Sequence, residues 1–351
     1  MWKWFIPLAA GIAIAVGVAA VGSQSTNHVS VGSSTGGGQT TTPPPPPPPS
    51  QQAACGGMSG HPATYQHVIW IWLNDESYSD EIGNLRGAPY VNALASQCGL
   101  ATGYYAVTRP GPPNAVAALS GGTQGITRNN CAPCTTSAIS LLNQVGGSWG
   151  VYAQSMPGAC SRATTALYSP LSNPAAFFSS ANCAAHDVPL GTPTSGALAS
   201  ALTAGTLPRF AILVPNACTS GSVRKTPACP QKQIYAIARS DSWLQTWMRR
   251  IVASPDYQSG GTVVLITWDQ GSPPSKHQAG GKLVGEACPQ TRSAQCHVAT
   301  LVVSPYVHPG LRVATEFTHL SLLRTSEQLL GINVYLGGAA NAASMRQAFG
   351  L

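Results

Sequence analysis

Short apolar runs alternate with helical patterns over most of the chain. Continuous apolar runs are typical of strands buried on both faces, and they predict strands at residues 67–73, 102–107, 150–154, 210–214, 262–268 and 299–303. The last two runs are rich in β-branched residues, as central strands are. Each run is followed by polar or turn-forming residues, so the strands are expected to end there.

Helical patterns lie between these runs, and they predict helices at residues 89–95, 115–119, 234–254 and 318–330. In the longest of them, Trp243, Trp247 and Ile251 recur every four residues and mark one apolar face. Strands that alternate with helices predict an α/β domain with a mostly parallel sheet. Ligands of such sheets bind beyond the carboxyl ends of the strands.

The first 22 residues predict an export signal or a membrane anchor. Lys3 precedes an uninterrupted apolar run from residue 5 to residue 21, and small residues near its end offer cleavage sites. The run is close to the lower limit of about 17 residues for a membrane helix. Cleavage and anchoring therefore both stay open, and either places the protein outside the cytoplasm.

Residues 23–54 predict a disordered linker, because this segment is rich in Pro, Gly, Ser and Thr and holds no core-forming pattern. The prolines from Pro43 to Pro49 predict a polyproline II rod of roughly 20 Å, at about 3.1 Å per residue. The segment is interpreted as a tether or as a leader remnant without a role. Residues 55–351 then form one large folded domain.

Ten cysteines in an exported chain predict up to five disulfides. The sequence leaves the connectivity open, although short polar loops favour the pairs Cys218–Cys229 and Cys288–Cys296. Cys131 and Cys134 have the spacing of a redox motif, but no thioredoxin-like pattern surrounds them.

Charge excludes one class of partner. Only 8 % of the residues are charged, and the formal net charge of +7 is spread along the chain. A nucleic-acid surface needs a basic stripe with interleaved aromatic residues, and the sequence has none. The basic residues are interpreted as a solvated, mildly cationic surface.

Polar residues gather after three of the predicted strands. Asn74 and Asp75 follow the first strand, and Asp269 and Gln270 follow the fifth. After the second strand the chain reads Arg109-Pro-Gly-Pro-Pro-Asn114, a turn into an apolar helix whose N-terminus favours negative charge. The carboxyl ends of parallel strands share one edge of the sheet, so these residues are expected to lie together.

These segments resemble the bacterial phosphoesterase family, which contains acid phosphatases and phospholipases C and belongs to the alkaline-phosphatase-like superfamily. The turn from Pro110 to Asn114 resembles its Pro-Ser-x-Pro-Asn motif, and residues 267–271 resemble its Thr-Trp-Asp-Glu-Gly motif. Residues 298–307 and 318–325 match family segments as well. The resemblance implies a three-layer α/β/α fold and hydrolysis of phosphate esters.

The same resemblance implies that the reacting atom is missing. Gly111 stands at the position of the Ser that attacks phosphorus in the family, and Arg109 stands where a His is common. Asn114 is retained; it corresponds to an Asn that contacts a phosphate oxygen, and the alternative is a helix N-cap.

The metal ligands implied by the resemblance are also depleted. Their positions correspond to Asn74, Asp75, Asp269, Gln270, His297 and His319. Asn and Gln have replaced two Glu, and no Asp or His lies between Asn216 and Cys229, where the family supplies one of each. For Asp75, the alternative to metal binding is a polar strand end in which Ser77 and Asp80 cap the turn.

Two functions therefore remain in view. The replaced nucleophile and ligands favour an exported family member that has lost its catalysis and binds a phosphate ester or another anion. The alternative is an active, metal-dependent hydrolase in which a reduced site activates water directly.

Overall fold

The computed structural model describes residues 53–129, 134–222, 228–229, 233–272 and 287–351. The predicted leader, almost all of the predicted linker, and Cys131 lie outside these residues. Within them, no helix has both the length and the apolarity that a membrane crossing requires.

Ten strands and nine α-helices are found in the described residues. The strands are β1 (His67–Leu73), β2 (Gly99–Ala101), β3 (Tyr104–Tyr105), β4 (Trp149–Ala153), β5 (Asp187–Pro189), β6 (Phe210–Val214), β7 (Thr262–Trp268), β8 (Thr300–Val303), β9 (Arg312–Val313) and β10 (Phe317–Thr318). The helices are α1 (Tyr78–Glu81), α2 (Pro89–Gln97), α3 (Gly111–Ser120), α4 (Leu141–Gln144), α5 (Ala197–Ala204), α6 (Gln233–Val252), α7 (Pro255–Gln258), α8 (Cys288–Thr291) and α9 (His319–Leu329).

Eight of the strands form one sheet in the order β5-β4-β6-β1-β7-β8-β2-β9. Its central strand β1 pairs in parallel with β6 and β7, whereas β8 runs against its neighbours. Helices cover both faces, which confirms the predicted three-layer α/β/α fold. Strand β1 is a continuous apolar run because both of its faces are buried. Within it, Trp70 contacts Phe210 edge-on at 4.8 Å between ring centroids, and the Trp70 Nε1 donates a hydrogen bond to Ser326 Oγ.

The strand predicted at residues 102–107 is much shorter in the structure. Only Tyr104 and Tyr105 form a strand, and they pair with β10 in a separate two-stranded sheet. The reason is the side chain of Asn114, whose Oδ1 accepts hydrogen bonds from the backbone amides of Val107 and Thr108 at 2.9 and 3.0 Å. These amides are bound by a side chain of α3 and so are not available to a neighbouring strand.

The other strong patterns are confirmed. Strands β1, β6 and β7 have the predicted bounds, and the apolar face of α6 is buried at Trp243, Trp247 and Ile251. Four disulfides join described residues: Cys55–Cys98, Cys160–Cys183, Cys218–Cys229 and Cys288–Cys296. The last two are the predicted local pairs.

Candidate active site

The candidate site lies where β1 and β7 end side by side. Leu73 and Trp268 are the last paired residues of the two strands. Asn74 and Asp75 therefore leave the same edge of the sheet as Asp269 and Gln270. The structure thus brings together the polar residues that the sequence predicted there.

Asp269 is the most deeply held of these side chains, with 4 % of its surface exposed. Its Oδ2 accepts a hydrogen bond from Asn74 Nδ2, and its Oδ1 accepts one from the backbone amide of Asp75, both at 2.9 Å. Asp75 adopts a left-handed backbone with φ of 55°, which Asp tolerates better than most residues. Burial and the nearby Asp75 charge raise the pKa of Asp269, and the two donors partly oppose that rise.

Asp75 begins a chain of side-chain hydrogen bonds behind Asp269. Its Oδ2 accepts from Ser222 Oγ at 2.9 Å, and its Oδ1 accepts from Gln270 Nε2 at 2.5 Å. The Gln270 Oε1 in turn accepts from Arg109 Nε at 3.5 Å. Arg109 is only 2 % exposed, so its guanidinium lies behind the site and not at its surface.

Gly111 is the first residue of α3 and faces Asp269 directly. A Cβ atom at this position would overlap the Asp269 carboxylate, with the carboxylate carbon Cγ only 2.9 Å away. The two donors described above hold that carboxylate in place. The space that a side chain at residue 111 requires is therefore taken by Asp269.

The side chain of Asn114 is hydrogen-bonded to the backbone of the loop that precedes α3. Besides accepting from Val107 and Thr108, its Nδ2 donates to the carbonyl oxygens of Thr108 and Pro110 at 2.7 and 3.3 Å. The N-cap residue of α3 is Pro110, so Asn114 does not cap the helix. It is fully buried and holds the preceding loop against α3.

His319 is buried beneath the site. Its Nε2 lies 2.8 Å from the carbonyl oxygen of Asp269, so this nitrogen must donate, and its Nδ1 lies 3.0 Å from the Tyr104 hydroxyl. Burial lowers the pKa of His319 to about 4, so the ring is neutral. Both ring nitrogens are engaged within the protein.

His297 lies in a stack of aromatic rings. Its ring stacks on Tyr78 at 4.4 Å and on Tyr105 at 5.0 Å between centroids. Its Nε2 donates to the carbonyl oxygen of Thr102 at 2.9 Å, and burial lowers its pKa. The structure therefore engages the His297 ring with two tyrosines and a backbone carbonyl, and metal binding by His297 stays a prediction.

Three of the predicted metal ligands are hydrogen-bonded to other groups of the protein. The Asp269 oxygens accept from nitrogen donors, Gln270 turns its Nε2 towards Asp75, and His319 uses both ring nitrogens. In the described ranges, no group of three or more His, Cys, Asp and Glu side chains is arranged to hold a metal ion. For Ser77 and Asp80 the structure shows the capping alternative, since the two form a capping box at α1. Metal binding by the predicted ligands stays a prediction.

The site opens into a cleft with a cavity volume of about 180 Å³. Five predicted residues line it: Asn74, Asp75, Gly111, Asp269 and Gln270. Two further segments, residues 164–172 and 214–222, close its sides with hydroxyl and amide groups. Sequence reasoning missed the first of these segments, because a loop rich in Ser and Thr has no pattern that separates a cleft wall from an ordinary turn.

The buried ionisable groups predict that the protein is more stable in mildly acidic than in mildly alkaline solution. Burial raises the pKa of Glu327 to about 7 and that of Asp187 to about 6. The folded state holds these protons more tightly than the unfolded chain, so their stabilisation is complete below the unfolded pKa of about 4 and is lost as the pH rises through the folded values. Asp269 adds to this with the same sign. His319 has the opposite sign, and it costs stability only as the pH falls below its ordinary pKa of 6.5.

Thermal unfolding should therefore show a lower Tm at about pH 8 than at about pH 6. Glu327→Gln is the matched variant, because Gln keeps an oxygen for the backbone amide of Leu336, which now donates to Glu327 Oε1 at 2.9 Å. It is expected to flatten the pH dependence. A Tm that rises over this interval would contradict the assignment.

Comparison with known structures agrees with the fold. A protein of the alkaline phosphatase superfamily from Vibrio parahaemolyticus superposes with a TM-score of 0.53 at 14 % identity, over 84 % of this chain and 73 % of that one. The lipoteichoic acid synthase LtaP from Listeria monocytogenes superposes with a TM-score of 0.52 at 12 % identity, over 80 % and 76 %. The fold is thus that of the alkaline phosphatase superfamily.

The family follows from sequence similarity. The sequence model of the Phosphoesterase family matches residues 79–333, which is most of the chain. The phosphatidylinositol-3-phosphatase of Mycobacterium tuberculosis is 26 % identical over 295 residues, covering 82 % of this chain and 84 % of that protein. An acid phosphatase of Aspergillus fumigatus is 32 % identical over 96 residues, covering 26 % and 21 %. The chain belongs to the phosphoesterase family, whose activity is the hydrolysis of phosphate esters.

Proposed function

We propose that this protein is an exported member of the phosphoesterase family that has lost covalent phosphate-ester hydrolysis and acts by binding a ligand in the cleft. One observation carries the proposal: the Asp269 carboxylate fills the space that a nucleophilic side chain at Gly111 requires. Covalent phosphoryl transfer needs a nucleophile that reaches phosphorus, and glycine has none.

The charges around the cleft support the same proposal. Phosphoryl transfer needs positive groups on the oxygens where negative charge develops. Here the acidic side chains of Asp75 and Asp269 line the cleft, and none of the described lining residues is a Lys, Arg or His. The nearby guanidinium of Arg109 is buried and its Nε is directed at Gln270.

The proposed location rests on two features. The apolar run at residues 5–21 has the form of an export signal or anchor. Disulfides persist in oxidising compartments, and four join described residues. Both features favour a place outside the cytoplasm, free or held at the membrane by the N-terminal segment.

The second candidate is a metal-dependent hydrolase with a reduced site that activates water directly. The observation in its favour is the raised pKa of Asp269 beside the cleft, because a general base works best with a pKa near the operating pH. Water attack would not require a side chain at residue 111. Among the nine predicted residues, Asp269 would then be the base and Asp75 its neighbouring carboxylate.

An activity assay separates the two candidates. The purified full chain is incubated with p-nitrophenyl phosphate, with and without Mg²⁺, Ca²⁺, Mn²⁺ or Zn²⁺, and its metal content is measured by elemental analysis. We expect no phosphate release above the level without protein. The matched variants are Asp269→Ala and Asp187→Ala. Asp187 is also a buried carboxylate that accepts from an Asn side chain at 2.9 Å, but it does not line the cleft.

Turnover with stoichiometric metal that is lost in Asp269→Ala and kept in Asp187→Ala would overturn the proposal in favour of the second candidate. Equal turnover in all three proteins would point to a contaminating phosphatase. No turnover in any of them would leave only the binding function.

A further inference from the structure

We infer that the cleft binds an uncharged polyhydroxyl ligand, a sugar ring of a glycan, in place of a phosphate ester. The inference rests on the proposed loss of hydrolysis and names the ligand class of that same site. It follows from the hydrogen-bonding groups, the charge and the size of the cleft.

One residue that lines the cleft has a buried acceptor without a donor. Asn74 lines it, is only 6 % exposed, and has a buried Oδ1 without a hydrogen-bond partner in the described part of the protein. The orientation of its amide is set by the other end, because Nδ2 donates to the Asp269 carboxylate. A ligand that satisfies Oδ1 must therefore carry a hydrogen-bond donor, which sugar hydroxyls supply and a phosphate dianion lacks.

The charge of the cleft also favours an uncharged ligand over a phosphate dianion. Asp75 and Asp269 line it, and none of the described residues that line it is a Lys, Arg or His. A phosphate dianion beside the Asp75 carboxylate would be repelled, whereas hydroxyl groups donate to carboxylate oxygens in strong, charge-assisted hydrogen bonds. Asp75 is the more exposed of the two acidic side chains, so it is the one expected to accept such a hydrogen bond.

The remaining wall matches the mixed donor and acceptor character of a sugar. Its polar members from the two flanking segments include Thr164, Thr165, Ser169, Asn216 and Ser222. A quaternary ammonium ligand fits less well, because such groups are held by several aromatic faces and Tyr168 is the one aromatic ring among the described lining residues. The cavity of about 180 Å³ is small beside typical sites of about 300–1,000 Å³, so it suits a single ring and not a long chain.

Binding of defined small molecules tests the inference. The purified full chain is titrated by saturation-transfer NMR and calorimetry with glucose, galactose, mannose, arabinose and N-acetylglucosamine, and separately with inorganic phosphate and choline. We expect at least one neutral sugar to bind with a Kd of about 1 mM, and to bind more tightly than phosphate or choline. If phosphate or choline binds more tightly than every sugar, or no sugar binds up to about 50 mM, the inference is wrong.

Variants locate the binding. Asn74→Ala removes the acceptor and should weaken sugar binding by about tenfold or more. Asn92→Ala is its control, because the Asn92 Nδ2 also donates to two protein groups, the carbonyl oxygens of Glu81 and Ala88, and Asn92 does not line the cleft. Thr164→Ala provides a second probe at an exposed lining position where folding is not at stake. Equal sugar affinity in the natural protein, Asn74→Ala and Thr164→Ala would place the sugar outside the cleft and overturn the inference.

The outcome is separable from that of the activity assay. If the protein hydrolyses the aryl phosphate and also binds a sugar in the cleft, the proposed loss of catalysis is wrong and the inference of a sugar ligand is supported. If the protein shows neither activity nor sugar binding, the proposed loss of catalysis is supported and the inference of a sugar ligand is wrong.

Discussion

The Gly111→Ser variant is expected to be less stable than the natural protein and to release no phosphate from an aryl phosphate, although it restores the family's nucleophile. The new Cβ would overlap the Asp269 carboxylate, which hydrogen bonds from Asn74 and Asp75 hold in place. Either α3 shifts or the carboxylate leaves its donors. Overpacking of this kind costs about 1–3 kcal/mol of the free energy of unfolding, which chemical denaturation measures.

Two control variants separate crowding from chemistry. Gly111→Ala adds the Cβ without the hydroxyl and should cost about the same stability. Combining Gly111→Ser with Asp269→Ala removes the overlapping group, so the double variant should lose less stability than the sum of its two single variants. Phosphate release by Gly111→Ser, or unchanged stability in both single variants at residue 111, would show that the carboxylate moves aside readily and would contradict this account.

Removing the disulfide between Cys55 and Cys98 should have the largest effect on stability. These cysteines are 43 residues apart, and both are buried. A cross-link that closes a loop of this length stabilises the folded state by about 4 kcal/mol through the entropy of the unfolded chain. The double variant Cys55→Ala/Cys98→Ala is therefore expected to lose about that amount, measured by denaturant unfolding under non-reducing conditions.

The disulfide Cys288–Cys296 provides the comparison. It spans only 8 residues, so the same relation gives about 2.5 kcal/mol for Cys288→Ala/Cys296→Ala. Both double variants remove two buried sulfur atoms, and the difference between them thus reports the loop length. A larger loss for the short loop would show that local packing around Cys288 outweighs chain entropy.

Strong local patterns predicted most of the framework. Strand β1, with its continuous apolar run, and helix α6, with its tryptophans every four residues, are specified by neighbours along the chain. Short edge strands such as β5 and β9 were missed, because two or three residues carry no periodicity. The strand predicted at residues 102–107 was too long, since Asn114 on α3 binds the amides that would have extended it.

The candidate site was predicted only in part. The residues after β1 and β7 were expected to meet, and they do, because parallel neighbours end at one edge of the sheet. His297 was assigned to the site by the family resemblance alone. In the structure its ring stacks on Tyr78 and on Tyr105. Ring stacking joins residues far apart in the chain and leaves no periodic signal.

The sequence by itself determined the family, the α/β class and the absence of a nucleophile at Gly111, and it favoured the two local disulfides, because each depends on residue identity or on short spacing. The tertiary structure alone decided which group occupies the space beside Gly111. Asp269 lies next to Gly111 although the two residues are 158 positions apart in the sequence. Donors from a third segment, Asn74 and Asp75, hold its carboxyl group there. Contacts of this kind depend on how strands and helices pack in three dimensions, which the order of residues along one segment does not express.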